Sequence, residues 1–186
     1  MAEIKPFTPA KLICGIISGR DIFFREGEER LTALFGPVDI RSQTFDFDLT
    51  DYYEPQMGKG LKRLFLAFEQ LVNPERLSEI KLRTNELEEE IGGRFGEALR
   101  HVNIDPGILT ASALIMATAK NFSHRIPLRQ GIYGHLEFLF TKAGVKTLDW
   151  TYPDFRKVNT QAFFGEVRRN YLSRLKSGPA AKPGSL

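Results

Sequence analysis

Residues 11–91 switch between two hydrophobic periods, and the order of the switches restricts the fold more than any motif in the chain. Lys11–Ile17 is short, apolar and closed by Ser18-Gly19, the pattern of a buried strand. Arg25–Phe35 places Leu31, Leu34 and Phe35 on one stripe and stops at Gly36-Pro37, which predicts a helix. In Val38–Leu49, Phe45, Phe47 and Leu49 alternate with Asp46 and Asp48, which predicts a strand with carboxylates on one face. Another strand is centred on Leu64–Phe68. Asn73-Pro74 supplies a cap and a first helical residue. The helix that follows should turn Leu77, Ile80, Thr84, Leu87 and Ile91 inward and stop at Gly92-Gly93. With a fourth strand at Arg100–Ile104, this is the order of a ferredoxin-like split βαβ core, an antiparallel sheet with helices on one face. The expected fold class is α+β.

The remaining chain extends that core. Asp105-Pro106-Gly107 is a turn by composition. Ile108–Ala119 reads either as a helix or as a short helix and a strand. In Ile132–Phe140, the residues Ile132, Gly134, Leu136, Phe138 and Phe140 share one side, opposite Tyr133, His135 and Glu137. Lys142-Ala143-Gly144 then turns this strand into a C-terminal β-hairpin with Val145–Trp150. A terminal helix, Asn159–Lys176, buries Phe163, Phe164, Val167, Tyr171, Leu172 and Leu175. One α+β domain is expected over residues 11–176, with a flexible lead-in at 1–10 and a disordered tail at 177–186.

Composition narrows the function classes. The chain has 186 residues, 42% hydrophobic and 26% charged, which suits one globular domain. No apolar run approaches the roughly 20 residues that cross a bilayer. No basic, then apolar, leader is visible at the N-terminus. Cys14 is the only cysteine, so no internal disulfide or cysteine zinc site can form, and it is expected in the core. These features read as a cytoplasmic protein without a membrane partner. Residues 1–100 carry 14 Lys and Arg against 18 Asp and Glu, whereas residues 101–186 carry 12 against 5. A basic half suits an anionic partner, or simply faces the acidic half of its own fold.

The common catalytic signatures GxxxxGK[ST], GxSxG, HExxH and GxGxxG are absent. Four groups remain as candidates. Asp46, Asp48, Asp51 and Glu54 form an oxygen-rich set that suits Mg²⁺, or else a polar sheet face. Lys81, Asn85 and Glu88 share a helix face, where Lys81 and Asn85 can line a pocket beside the sheet. Lys120, Ser123, His124 and Arg125 form the best anion site: Lys120 and Arg125 donate to phosphate, and His124 can act as acid or base. His135 and Glu137 can approach His124 as a metal set, while His101 reads as a surface residue. Asn103 and Asp105 become neighbours of the cluster if their turn folds back. Trp150–Arg156 mixes aromatics with Arg156, so it can stack a base or pack a loop on the core.

The blocks DYYEPQMG, KLRTNELE, NIDPG, ATAKNFSHRIPL, GIYGHLEFLF and WTYPDFR occur in order across roughly residues 9–176. Together they resemble an uncharacterised bacterial family catalogued as domain of unknown function 4416. The resemblance implies no particular activity, cofactor or substrate. The residues themselves support three readings. The first is a binding domain for a phosphate-bearing ligand, a nucleotide or RNA, through Lys120, His124 and Arg125. The second is a structural or interaction domain, a homo-oligomer joined through the C-terminal helix or a sheet edge. The third is a metal-assisted phosphoester or nucleotide enzyme using Asp46, Asp48 and Asp51.

Overall fold

A computed structural model of the chain describes residues 3–95 and 100–177. Its elements are β1 (Ala10–Ser18), α1 (Asp21–Phe35), β2 (Val38–Arg41), β3 (Phe45–Asp46), the single turn α2 (Glu54–Met57), β4 (Lys62–Val72) and α3 (Leu77–Phe95). Then follow β5 (Asn103–Leu109), β6 (Ala113–Thr118), β7 (Ile126–Arg129), β8 (Ile132–Thr141), β9 (Gly144–Thr147) and α4 (Val158–Lys176). Among the described residues the nine strands form one antiparallel sheet, β2-β4-β1-β5-β6-β8-β7, with β3 also on β4 and β9 also on β8. The class is α+β, with the expected hairpin β8–β9 and terminal helix α4.

Why Lys11–Ile17 is continuously apolar is plain from its neighbours. Leu12, Cys14 and Ile16 pack under α1 and α3, beside Phe23, Leu31, Ile80, Leu87 and Ile91. Ile13 faces the other way, into a core with Phe65, Met116 and Phe138 that α4 closes with Phe163, Phe164, Val167 and Tyr171. A strand covered on both faces has no polar side to show. Helices therefore lie on both faces of the sheet, α4 opposite α1 and α3. Gly15 leaves room for the Phe65 ring, whose nearest atom would stand 3.2 Å from an added Cβ.

Several boundaries differ from the sequence expectation, each for a physical reason. The stretch Val38–Leu49 is two short strands, because Ser42 takes over a rung: its N–H donates to the Phe65 carbonyl and its Oγ accepts from the Phe65 N–H. Asn73 does cap, accepting from Glu75, but a 3-10 turn (Pro74–Arg76) precedes α3. Helix α3 runs through Gly92-Gly93 to Phe95. The Phe95 ring packs edge-on against Phe23, centroids 5.0 Å apart, and that contact outweighs a glycine penalty of about 1 kcal/mol per residue. The segment 108–119 holds no helix; it is the end of β5, a turn and β6. The edge strand β7 was not foreseen. Positive φ at Gln130 and Gly131, 53° and 76°, makes the tight turn that joins it to β8.

Three further expectations are corrected. Asp105-Pro106-Gly107 is no turn but the middle of β5. His101 is buried and stacks on Phe23 at 4.4 Å rather than lying on the surface. The alternation in β8 breaks, because the register against β6 shifts between Phe138 and Leu136. Glu137 occupies that bulge, so Ile132 and Phe138 join different cores and both His135 and Glu137 are buried. Residues 3–9 hold no regular structure, and the tail beyond Ser177 lies outside the described residues. Among the described residues no helix is long and apolar enough to cross a membrane.

Candidate functional site

The site begins with a proline in a central strand. Strand β5 pairs with β1 along its whole length but with β6 only at Gly107–Leu109. Ile104 turns its backbone away from β1: its N–H donates to Glu88 Oε1 at 2.6 Å and its carbonyl accepts from Lys81 Nζ at 2.8 Å. Pro106 lies two residues on, so it faces the same side and has no N–H to offer β6. Gly107 is the last point of contact, where an added Cβ would stand 2.4 Å from Met116 Sδ and 2.8 Å from the Ile115 carbonyl oxygen. Beyond it the two strands part, and Lys81 and Glu88 of α3 satisfy the backbone groups that β6 leaves behind.

A cleft of about 650 Å³ opens there. Asn103 and Asp105 of β5 line one side and Met116, Ala117 and Thr118 of β6 the other. Phe47, Leu49, Tyr52 and Tyr53 come from the loop around α2, and Tyr152–Phe155 from the 3-10 turn before α4. The volume lies within the range of small-ligand sites, and a wall of aromatics with a few polar groups is their usual makeup.

Charge is distributed unevenly along this wall. At the buried end Arg63 reaches Asp105 at 3.1 Å and also pairs with Asp154. Lys81 lies 3.5 Å from Asp105, and Arg100 binds Glu88 and the Asn103 amide oxygen. Burial opposes ionisation of Asp105, but Lys81 and Arg63 outweigh it and hold the carboxyl below its usual value. Burial likewise lifts Glu88, against Lys81 and Arg100. Every cation at this end already has a carboxylate.

The outer end differs. Lys120 Nζ sits over the Tyr52 ring, 3.6 Å from its centroid. Arg125 is held by three neutral acceptors: His135 Nδ1 at 3.3 Å, the Lys120 carbonyl at 2.7 Å and the Tyr152 hydroxyl at 2.6 Å. A guanidinium has five N–H groups, so two of Arg125 stay uncommitted. Neither Lys120 nor Arg125 has a carboxylate partner among the described residues. Because Arg125 donates to Nδ1, His135 carries its own proton on Nε2. That nitrogen lies 3.2 Å from Glu137 Oε2. Burial raises the Glu137 carboxyl.

The expected residues divide accordingly. Lys81, Asn85, Asn103, Asp105, Lys120 and Arg125 all line the cleft. His124 and Ser123 do not: His124 lies behind Arg125, its ring stacked on Trp150 at 4.9 Å and its Nε2 3.2 Å from His135 Nδ1, and Ser123 is exposed. Burial, then His135 and Arg125, lower the His124 pKa. Asp46, Asp48 and Asp51 are exposed and do not line the cleft that Phe47 and Leu49 line, and Asp48 pairs with Lys157 at 3.1 Å. Among the described residues no group of three or more His, Cys, Asp or Glu side chains is placed to hold a metal ion. Tyr152 and Asp154 come from the Trp150–Arg156 run and line the cleft too, whereas Arg63, Arg100 and Tyr53 were missed. Arg63 stands at the start of β4, before the apolar run Leu64–Phe68, and no local pattern marks it as buried.

No curated protein and no solved structure matches the chain. A family model, described as a domain of unknown function (DUF4416), matches residues 8–171, so the chain belongs to that family.

Proposed function

We propose that the cleft between β5 and β6 binds a small phosphate-bearing ligand, with Lys120 and Arg125 as the anchors of its anionic end. One observation carries this reading. Five cations line the cleft against two carboxylates, and the two cations at its mouth have no carboxylate partner among the described residues. An oxyanion there would receive the two uncommitted N–H groups of Arg125 and the Lys120 ammonium. The test is calorimetric titration of phosphorylated small molecules into the protein and into the Lys120→Ala/Arg125→Ala variant. Binding should be lost in the variant while its melting temperature stays unchanged, because neither side chain pairs with a buried charge. An equal loss of stability, or binding that survives, would refute it.

A second reading, a homo-oligomer, draws on the free edge of β7. All four residues of β7 are exposed, Ile126 and Leu128 among them, with Phe122 close by in sequence. Light scattering after size exclusion would decide: a monomer at all concentrations removes it. The order β2-β4-β1-β5, with α1 and α3 on one face, also supports reading the first half as a ferredoxin-like unit. An experimental structure in which β1 does not lie between β4 and β5 would overturn that.

A further inference from the structure

We infer that the ligand is a mononucleotide in chemical class, a terminal phosphate monoester joined to an uncharged, hydrogen-bonding planar ring, rather than a nucleic acid strand. The inference rests on the phosphate reading above and deepens it. Three features of the cleft carry it.

The first is charge count at the mouth. Lys120 and Arg125 are five residues apart on one loop, joined by the Arg125 hydrogen bond to the Lys120 carbonyl, and both line the cleft, so two positive charges stand at its mouth. A terminal phosphate near neutral pH carries close to two negative charges, while a phosphodiester carries one. A strand would instead want cations spaced along a groove. The other cleft cations, Arg63, Lys81 and Arg100, are committed to Asp105, Asp154 and Glu88.

The second is the neutral polarity of the inner end. With its charges paired, that end has no use for a further ion. Among the described residues, two of its groups nonetheless have no hydrogen-bond partner: the Asn85 side-chain amide and the Tyr53 hydroxyl, both on the cleft wall. Burial keeps that hydroxyl protonated by raising its pKa. An amide offers a donor and an acceptor side by side, which matches the adjacent acceptor and donor on the edge of a nucleobase.

The third is the wall between the two ends. Phe47, Tyr52, Met116, Tyr152 and Phe155 line it with aromatic rings and a thioether, apolar groups against which a flat ring packs.

The experiment is titration calorimetry with AMP, GMP, CMP and UMP, their nucleosides, ribose phosphate, inorganic phosphate and a short single-stranded oligonucleotide. It uses the wild-type chain, Asn85→Ala and the Lys120→Ala/Arg125→Ala variant. One mononucleotide should bind at least about ten-fold more tightly than its nucleoside and than ribose phosphate, the difference a pair of good hydrogen bonds supplies. Asn85→Ala should weaken that mononucleotide roughly five-fold and leave ribose phosphate unchanged. Ribose phosphate binding as tightly as every mononucleotide, with loss in the double variant, overturns the ring and keeps the anchor. Tighter binding of the oligonucleotide overturns the inference in favour of a strand. No binding of any phosphate compound overturns both.

Discussion

Replacing Gly107 by alanine tests the division of the sheet directly. The new Cβ would lie 2.4 Å from Met116 Sδ and 2.8 Å from the Ile115 carbonyl oxygen. Ordinary contacts to a methyl group are about 3.5–4 Å. The thioether can swing aside at modest cost. The carbonyl cannot, because it belongs to β6, whose Met116 is the register partner of Gly107 itself. Restoring contact distance therefore means prising apart a ladder only three residues long on each side. Overpacking of this kind costs about 1–3 kcal/mol, and a backbone neighbour puts Gly107→Ala at the upper end. The entropy that alanine removes from the unfolded chain offsets only about 0.4–1 kcal/mol of it. In urea the midpoint should fall by roughly 1 M, given a slope of about 1–3 kcal/mol/M. Gly92→Ala and Gly93→Ala serve as controls, since nothing lies within 4 Å of a Cβ at either helical position. Each should raise stability by about 0.5–1 kcal/mol. A Gly107→Ala midpoint equal to wild type would mean that β5 and β6 are not pressed together at this point.

Two other perturbations probe the buried charges. Arg63→Met leaves Asp105 and Asp154 without their shared partner and should cost about 3–5 kcal/mol; adding Asp154→Asn should restore part of the calorimetric melting temperature, and an unchanged double variant would count against the pairing. Glu137 has its pKa raised in the fold, so the native state holds the proton more tightly than the unfolded chain does. Its contribution is fully present below the ordinary glutamate value and is lost as pH rises through the elevated one, so Glu137→Gln should flatten that fall in melting temperature against pH; an unaltered profile would contradict the assignment.

Much of the architecture was legible because it follows local periodicity. Lys11–Ile17 and Leu64–Phe68 read as strands through their short apolar runs, and α4 through its 3.6-residue stripe. Part of the cleft was legible as well: Lys81 and Asn85 were placed on a helix face beside the sheet, and Lys120 and Arg125 were singled out together on one loop; all four line the cleft. What escaped depends on contacts distant in sequence. Pro106-Gly107 has the composition of a turn, and only the presence of β1 on one side and the departure of β6 on the other make it a strand. The bulge at Glu137 shifts a face by one residue, which no alternation rule anticipates, and so His135 and Glu137 moved from an assumed polar face into the interior. Arg63 follows Lys62 at the start of β4, and only the fold reveals that it is buried against the Phe47, Phe65 and Phe155 rings.

The charges around the cleft fall into two classes with different origins. Once Pro106 parts β5 from β6, the N–H and carbonyl of Ile104 need partners, and Glu88 and Lys81 provide them. Bringing those two ions inside then requires compensation, which Arg100 gives to Glu88 and Asp105 gives to Lys81, with Arg63 and Asp154 completing the set. The inner ions are thus a consequence of the divided sheet and would be needed if the protein bound nothing. Lys120 and Arg125 answer no such need. Arg125 is fixed by three neutral acceptors, an arrangement that orients a guanidinium while leaving its charge unmatched. Removing an inner ion should therefore cost much stability, and removing an outer one little.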